Sequence, residues 1–184
     1  MQELSLNILD IAQNSISAGA SLIEITTEAA GEEGRMLTIT IKDNGRGMSR
    51  EALAQVENPF FTSRTTRKVG LGVPLFKQAA EIPGGSFTID STEGVGTTVT
   101  AVFDTQSIDC TPLGDVADTV GILIQMNGDI DFVYTVRASD REFVCDTRDL
   151  KRIMEGRPLT DIAVVQWIKE YIDENQLDIL GRRY

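Results

Sequence analysis

The segment Asp43-Asn44-Gly45-Arg46-Gly47-Met48 combines residue types that could hold a flat, polar ligand. The carboxylate of Asp43 can accept a hydrogen bond from an exocyclic amine, such as the one on adenine. Gly45 and Gly47 have no Cβ atom, so the backbone can turn sharply there and let a planar ligand come close. The same residues are also ordinary turn formers, and taken alone the segment favours a simple turn.

A second group of polar side chains falls on a helix that is predicted from residue 3 to residue 17. Its apolar residues recur at helical spacing and form one stripe: Leu4, Ile8, Ile11, Ala12 and Ile16. Beside this stripe, Asn7, Asp10 and Asn14 recur at i, i+3 and i+7, so they line up along one edge of the helix. Oxygen ligands of this kind suit Mg2+ when phosphates supply its other ligands. A polar face open to solvent is the alternative explanation.

Residues 60–69 are rich in hydroxyl groups and positive charge, and we expect them to form a mobile lid. Gly70-Leu71-Gly72 follows and opens a helix predicted for residues 73–81, whose free amides and positive dipole would favour phosphate. Residues 43–77 include six basic and three acidic side chains, a local balance of +3. This balance suits a polyphosphate ligand, although a solvated loop with its usual lysines and arginines explains it as well.

Strands and turns must position these residues. Apolar and polar residues alternate from residue 37 to residue 41, which predicts a half-buried strand that ends at Asp43. This strand would pair with one that begins at Leu22, and glycine turns at residues 84–85 and 94–96 bound a second predicted hairpin. The first half of the chain is therefore expected to consist of helices and two hairpins.

Composition excludes several classes of site. The net charge of −11 argues against non-specific binding to nucleic acid. The chain has no histidine, so a zinc site is not expected and no side chain of the chain itself can serve as a phospho-accepting histidine. The 184 residues contain no apolar run as long as a membrane span and no secretory signal at the start. We therefore expect a cytoplasmic location, with Cys110 and Cys145 reduced.

From about residue 108 the composition changes and none of these motifs continues. Asn127-Gly128 lies between apolar runs at residues 121–126 and 130–136, which predicts a hairpin, and residues 142–145 would add a third strand. Two helices are predicted after this strand. We expect this second half to be a small unit of antiparallel strands and two helices that binds a partner protein or forms a homodimer.

The order of these motifs resembles the GHKL superfamily of ATP-binding domains, which includes gyrase B, the mismatch-repair ATPases, the ninety-kilodalton heat-shock chaperones and the histidine kinases. Five motifs of residues 3–104 occur in the same order: an asparagine-bearing helix, Asp-x-Gly-x-Gly, Pro-Phe-Phe-Thr-Ser, Gly-Leu-Gly and Gly-x-Gly-Thr-Thr. The resemblance implies an α+β fold for residues 1–107, a two-layer sandwich of a mixed β-sheet with helices on one face (the Bergerat fold). Residues 108–184 would form a separate extension.

The resemblance also implies roles for single residues. The segment Ile11-Ala12-Gln13-Asn14-Ser15 is similar to the N-box, so Asn14 would hold Mg2+, and Asp43 would bind the adenine amino group. Asp10 falls where hydrolysing members carry a glutamate, and as a catalytic base it would reach its water with one methylene fewer. The residues expected to bind ATP are Asn14, Asp43, Gly45, Gly47, Met48, Phe61, Arg64, Lys68, Gly70, Leu71, Gly72 and Thr98.

The short lid and the segment Pro59-Phe60-Phe61-Thr62-Ser63 are most similar to the histidine-kinase branch. We therefore expect an ATP-binding signalling protein that phosphorylates or regulates a separate partner protein with Mg-ATP. Because the chain has no histidine, the partner would supply the phosphate acceptor. The alternatives are a slow ATPase switch of the mismatch-repair or gyrase type and a non-catalytic ATP sensor.

Overall fold

The structure is a computed structural model that describes residues 3–56, 71–181 and 184. Its strands are β1 (Leu22–Ala30), β2 (Met36–Asp43), β3 (Ser86–Thr92), β4 (Gly96–Asp104), β5 (Asp131–Ala138) and β6 (Arg141–Asp146). All six belong to one sheet, in the order β3-β4-β2-β1-β5-β6. Neighbouring strands are antiparallel except β1 and β5, which run parallel, so the sheet is mixed.

The helices are α1 (Leu4–Ser17), α2 (Arg50–Val56), α3 (Gly72–Glu81), α4 (Val116–Met126), α5 (Thr147–Ile153) and α6 (Ile162–Leu180). Helix α1 packs between α3 and α4, and α6 packs against α4, β5 and β6. Alternate residues of the strands are buried in one core with these helices, while the residues between them are mostly polar. The predicted α+β fold, with a mixed sheet and helices on one face, is confirmed. No helix in the described ranges is long and apolar enough to cross a membrane.

The start of α1 is held by the chain that follows β4. Its apolar stripe is buried, as the periodicity predicts, but its N-cap residue Glu3 provides no side-chain hydrogen bond to the helix. Instead, the backbone amides of Leu4 and Ser5 donate to the carbonyls of Pro112 and Leu113, at 2.9 and 2.8 Å. These bonds satisfy two of the amides that a helix start leaves free. The chain between β4 and α4 therefore fixes the start of α1.

The hairpin predicted around Asn127-Gly128 is wrong. Its first limb, residues 121–126, is the end of helix α4, and Asn127 follows as the C-cap of that helix. A short apolar run fits a buried helix as well as a buried strand, and the deciding signal is Asp115, which accepts a hydrogen bond from the amide of Asp118 and caps the helix start. The actual hairpin joins β5 to β6 through Ser139, whose φ is 55°.

The strands of the second half also extend the main sheet, because β5 pairs with β1. Behind this pairing a buried polar chain links three elements: Thr27 of β1, Tyr134 of β5 and Gln176 of α6. The Thr27 and Tyr134 hydroxyls are 2.8 Å apart, and the Tyr134 hydroxyl donates to Gln176. Burial raises the pKa of Tyr134 well above its usual value. This chain fixes the register of β5 and α6 against the first half.

Candidate functional site

Asp43 is the best-anchored carboxylate of the described part of the site. It ends β2 and is only 9% exposed. The Ser15 hydroxyl donates to its Oδ2 atom at 2.6 Å, and the Gly45 amide donates to its Oδ1 atom at 2.9 Å. A carboxylate oxygen can accept two hydrogen bonds, so each oxygen keeps one acceptor position for a ligand. The side chain is therefore fixed in orientation and still able to bind an amine.

The segment after Asp43 is fastened to the end of α1. Asn44 Oδ1 accepts from the amides of Ser21 and Leu22 at 2.9 and 3.0 Å, and the Arg46 amide donates to the carbonyl of Ala18 at 3.0 Å. The side chain of Asn44 thus stabilises the turn. The same anchoring holds Asp43 close to α1.

Gly47 is required by the turn itself. Its φ is +62°, a conformation that other residues rarely adopt, and a Cβ atom there would lie 2.0 Å from the carbonyl oxygen of Thr92. The next residue, Met48, is partly buried against the core, and its amide donates to Ser91 Oγ at 2.9 Å. The turn interpretation therefore holds for Gly47, and the ligand roles of Gly45, Gly47 and Met48 stay predictions.

Strand register places Thr97, rather than Thr98, beside Asp43. Thr97 lies directly opposite Asp43 in the pairing of β2 with β4, whereas Thr98 lies opposite Lys42. Opposite residues of a sheet share a face, so Thr98 is on the face away from the helices. The Thr97 hydroxyl is 2.9 Å from Ser91 Oγ. The predicted role of Thr98 near the base therefore suits Thr97 better.

Asp10 and Asn14 are exposed on one edge of α1, one turn apart. This edge meets the start of α3, because a Cβ atom on Gly72 would lie 3.0 Å from Asp10 Cβ. Gly72 is the first residue of α3, where free amides and the helix dipole favour negative charge, and Leu71 before it is 65% exposed. The helix start that was predicted to bind phosphate thus lies beside the predicted base.

Asn14 fits a magnesium ion. Its side chain offers an amide oxygen on an exposed helix edge, and Mg2+ takes few protein ligands when phosphates and water provide the rest. The remaining predicted ligands, Phe61, Arg64, Lys68 and Gly70, lie outside the described residues.

Two cavities bear on the assignment. One of about 300 Å³ is at the same end of the sheet as Asp43, but its lining includes Lys42 and Thr98, which are on the face away from the helices. The other, of about 640 Å³, is larger but lies where β1 and β5 end, near Gly31 and Arg141. Among the charged residues of its lining, Arg137 is paired with Glu142 and Arg141 with Asp178. Because the residues with ligand chemistry gather around Asp43 and Asp10, the candidate site is at the first end.

Sequence reasoning did not single out Ser15 or Ser91, and of the neighbouring threonines Thr97 and Thr98 it assigned the role near the base to Thr98. Ser15 shares the helix face of the apolar residues, so nothing local marks it as a partner of Asp43. Thr97 could have been found, because the predicted alternation of Val99, Ala101 and Phe103 places residue 97 on their side of the strand.

The first half of the chain matches a known family of ATPases. The family model described as histidine kinase-, DNA gyrase B- and HSP90-like ATPase matches residues 1–107. A sensor protein of Shewanella frigidimarina is 32% identical over 104 residues, 56% of this chain and 15% of that protein. The histidine protein kinase DivJ of Caulobacter vibrioides is 31% identical over 96 residues, 50% of this chain and 16% of DivJ. The chain therefore spans less than a fifth of the length of these relatives.

Among solved structures, the Aquifex aeolicus MutL ATPase domain complexed with ADP superposes with a TM-score of 0.55 at 11% identity. The match covers 100% of this chain and 99% of that one, so the likeness of fold includes the second half. The resemblance inferred from the motifs is confirmed by the match to the family model. The chain belongs to the family of histidine kinase-, DNA gyrase B- and HSP90-like ATPases.

Proposed function

We propose that the chain binds Mg-ATP between α1 and the start of α3 and acts as a kinase-like signalling protein on a separate partner protein. The observation that carries this proposal is the hydrogen bond from Ser15 to Asp43, which joins the asparagine-bearing helix to the end of β2. Asp10 then lies beside Gly72 farther along the same helix. One helix thus connects a site for a base to a site for phosphates.

Each described residue has a distinct part. Asp43 accepts a hydrogen bond from the adenine amino group, and Thr97 lies beside it on the same face. The amides at the start of α3 bind phosphate oxygens, and Asn14 holds Mg2+, which neutralises charge on the phosphates when it is bound. Preorganised donors and charges of this kind provide most of the catalysis in phosphoryl transfer. Phe61, Arg64, Lys68 and Gly70 would complete the site.

Composition bears on the partner. These 184 residues contain no histidine, so we place the acceptor of any phosphate that moves to histidine outside them, on a partner protein. Residues 108–184, a proposed second domain, would bind that partner or a second copy of the chain. We also propose a cytoplasmic location, where Mg-ATP is available, and no nucleic-acid partner, because the net charge is −11.

The binding half of the proposal is tested by calorimetry with ATP and Mg2+ on the wild type, Asn14→Ala and Asp43→Asn. Asp43→Asn should weaken binding of ATP, and it should have a smaller effect on the binding of Mg2+-free triphosphate analogues with other bases. Asn14→Ala should instead remove the dependence of ATP affinity on Mg2+. The wild type binding no adenine nucleotide would end the proposal. Labelled ATP with candidate partners tests the kinase half, and steady ATP consumption without labelled partner excludes it.

A second candidate is a slow ATPase switch, favoured by the position of Asp10 beside Gly72. A base at this point could activate water near the terminal phosphate. Asp10→Asn should then abolish turnover and leave ATP affinity within a few-fold of the wild type. Unchanged turnover would exclude Asp10 as the base. Binding of ATP with no product in either assay would leave a non-catalytic sensor, recognised by a magnesium-dependent rise in melting temperature.

A further inference from the structure

One flank of helix α6 lies over β6. Four of its residues recur at i, i+4, i+7 and i+11, so they line up along the helix: Trp167, Tyr171, Glu174 and Asp178. Two of them contact β6. The ring of Tyr171 meets the ring of Phe143 edge to face, with centroids 5.1 Å apart, and Asp178 pairs with Arg141.

The opposite flank of α6 is used within the fold. Lys169 Nζ donates to Asp118 of α4 at 2.6 Å, and Gln176 accepts a hydrogen bond from Tyr134 of β5. The first flank therefore faces the outside of the sheet. Strand β6 is the last in the sheet order, and no segment of the described chain pairs with its outer edge. Together these groups form what we call the β6 edge surface: Trp167, Tyr171, Glu174 and the outer edge of residues 141–146.

The aromatic part of this surface is exposed and fixed in orientation. Trp167 is 42% exposed, and one face of its indole stacks on Tyr171, with ring centroids 5.2 Å apart and planes 6° apart. No other ring of the described residues stacks on the indole, so its second face is open. Val144, in the middle of β6, is 45% exposed. Aromatic side chains held in place in this way carry much of the binding free energy at protein interfaces.

The charge of the surface indicates the kind of partner. Glu174 is exposed and makes no hydrogen bond or ion pair with any other described residue. The exposed side of α6 also carries Glu170 and Asp178, whereas Lys169, the one basic residue of the helix, is paired with Asp118. A second copy of the chain would bring the same carboxylates against these, and like charges oppose such pairing. A cationic segment is complementary instead.

We propose that the β6 edge surface binds an extended, arginine-bearing segment of a partner protein, which pairs with β6 as a further strand of the sheet. This inference rests on the part of the proposed function that gives residues 108–184 a protein partner. Side chains of an added strand alternate between the two faces of a sheet. An arginine on the helix side stacks on the open face of Trp167 and pairs with Glu174, because its planar guanidinium suits both. An apolar side chain on the other face packs beside Val144.

Fluorescence anisotropy with labelled peptides tests strand pairing on the full chain without nucleotide. The probe is a blocked peptide of alternating arginine and valine. Two further versions carry N-methyl groups on alternate amides, one on the arginines and one on the valines. Because alternate amides of a strand point to the same neighbour, one version should bind about tenfold more weakly and the other within about threefold of the parent peptide. Equal losses in both versions, or a parent peptide that does not bind, would overturn the proposal.

Side-chain variants test the stacking and the ion pair. We expect Trp167→Ala to lower the affinity for the parent peptide about tenfold, and Glu174→Gln to lower it about threefold. Glu32→Gln is the matched control, because it removes the same charge from an exposed residue of another element and should bind as the wild type does. Thermal melting checks that each variant is folded. Equal affinities in Glu174→Gln and Glu32→Gln would contradict the ion pair.

A lysine version of the peptide tests the choice of arginine. It keeps the charge but lacks the planar guanidinium, so it should bind several-fold more weakly than the parent peptide. Affinity equal to that of the parent would overturn the assignment to arginine.

Sedimentation of the wild type and Trp167→Ala tests a second copy as the occupant. We expect both proteins to show the same oligomeric state at each concentration. A wild-type dimer that dissociates in Trp167→Ala would assign the surface to a second copy and overturn the proposal. Calorimetry with ATP separates the two levels of inference: intact ATP binding without peptide binding ends this inference alone, whereas absence of ATP binding ends the proposed function.

Discussion

Ser15 Oγ lies 2.6 Å from Asp43 Oδ2, so a buried hydrogen bond ties helix α1 to the last residue of β2. A hydrogen bond to a charged, buried group is worth about 1.5–3 kcal/mol. We predict that Ser15→Ala lowers ATP affinity about tenfold, because Asp43 loses the donor that orients it, and also lowers the melting temperature. Calorimetry and thermal melting check both. Ser17→Ala, an exposed change on the same helix, should alter neither.

The register of β2 and β4 makes a sharper prediction about two adjacent threonines. Thr97→Val should weaken ATP binding several-fold, because Thr97 shares the face of Asp43. Thr98→Val should leave binding unchanged, because Thr98 is on the opposite face. The two variants make the same chemical change one residue apart, and their ATP dissociation constants can be compared directly. Equal losses, or a loss only in Thr98→Val, would contradict the assignment.

The fold of the first half could largely be predicted from sequence because its signals are local. Periodic apolar residues indicated α1, and alternation indicated β2 ending at Asp43. The bond from Ser15 to Asp43 could not be predicted this way, since the two residues are 28 positions apart and meet only through the packing of α1 on the sheet. The family resemblance placed Asp43 and Asn14 in one site, but it did not distinguish Thr97 from Thr98.

The second half was less predictable for the same physical reason. Residues 121–126 are apolar enough for a buried strand or a buried helix, and the cap at Asp115 decides between them. The pairing of β5 with β1 joins segments about a hundred residues apart along the chain, and neither strand carries a local mark of it. Such long-range pairing depends on how much apolar surface the two halves bury together, and no short segment of the sequence indicates it.

The clearance at Gly72 predicts a local effect on phosphate binding. In Gly72→Ala the new Cβ atom would lie 3.0 Å from Asp10 Cβ, so Asp10 and the start of α3 must move apart. We expect ATP affinity to fall about tenfold while the melting temperature holds, since alanine favours a helix. Gly128→Ala is matched in clearance, 3.0 Å from Thr160 Cγ2, and should bind ATP normally. A comparable loss of affinity in both variants would contradict a local role for Gly72.

One sheet shared by both halves predicts one unfolding transition. The single tryptophan, Trp167, is on α6 and stacks on Tyr171, so its fluorescence reports the second half. Far-ultraviolet circular dichroism reports the whole chain, and the two melting curves should coincide. Tyr134→Phe should shift both curves down together, because Thr27 and Gln176 lose their shared partner. Separate transitions would instead support two independent folding units.

Cys145 predicts a loss of stability in alkali. Burial raises the pKa of its thiol to about 12 from an ordinary value of 9.0. The unfolded thiol ionises first, so the stabilisation is complete below pH 9 and is lost as pH rises toward 12, by at most about 1.4 kcal/mol per pH unit. The free energy of unfolding, measured with urea from pH 8 to pH 11, should decline less steeply with pH in Cys145→Ala than in the wild type. Equal slopes would contradict this account.

The parallel pairing of β1 with β5 also bears on where the molecule can be cut. A shortened chain ending at residue 107 keeps the whole family match but strips β1 of its neighbour and leaves a row of unpaired amides and carbonyls. It also removes the carbonyls that hold the first amides of α1. Exposed edge strands of this kind pair with edge strands of other molecules, so the fragment should aggregate. We therefore expect that the boundary drawn by similarity is not a boundary of autonomous folding.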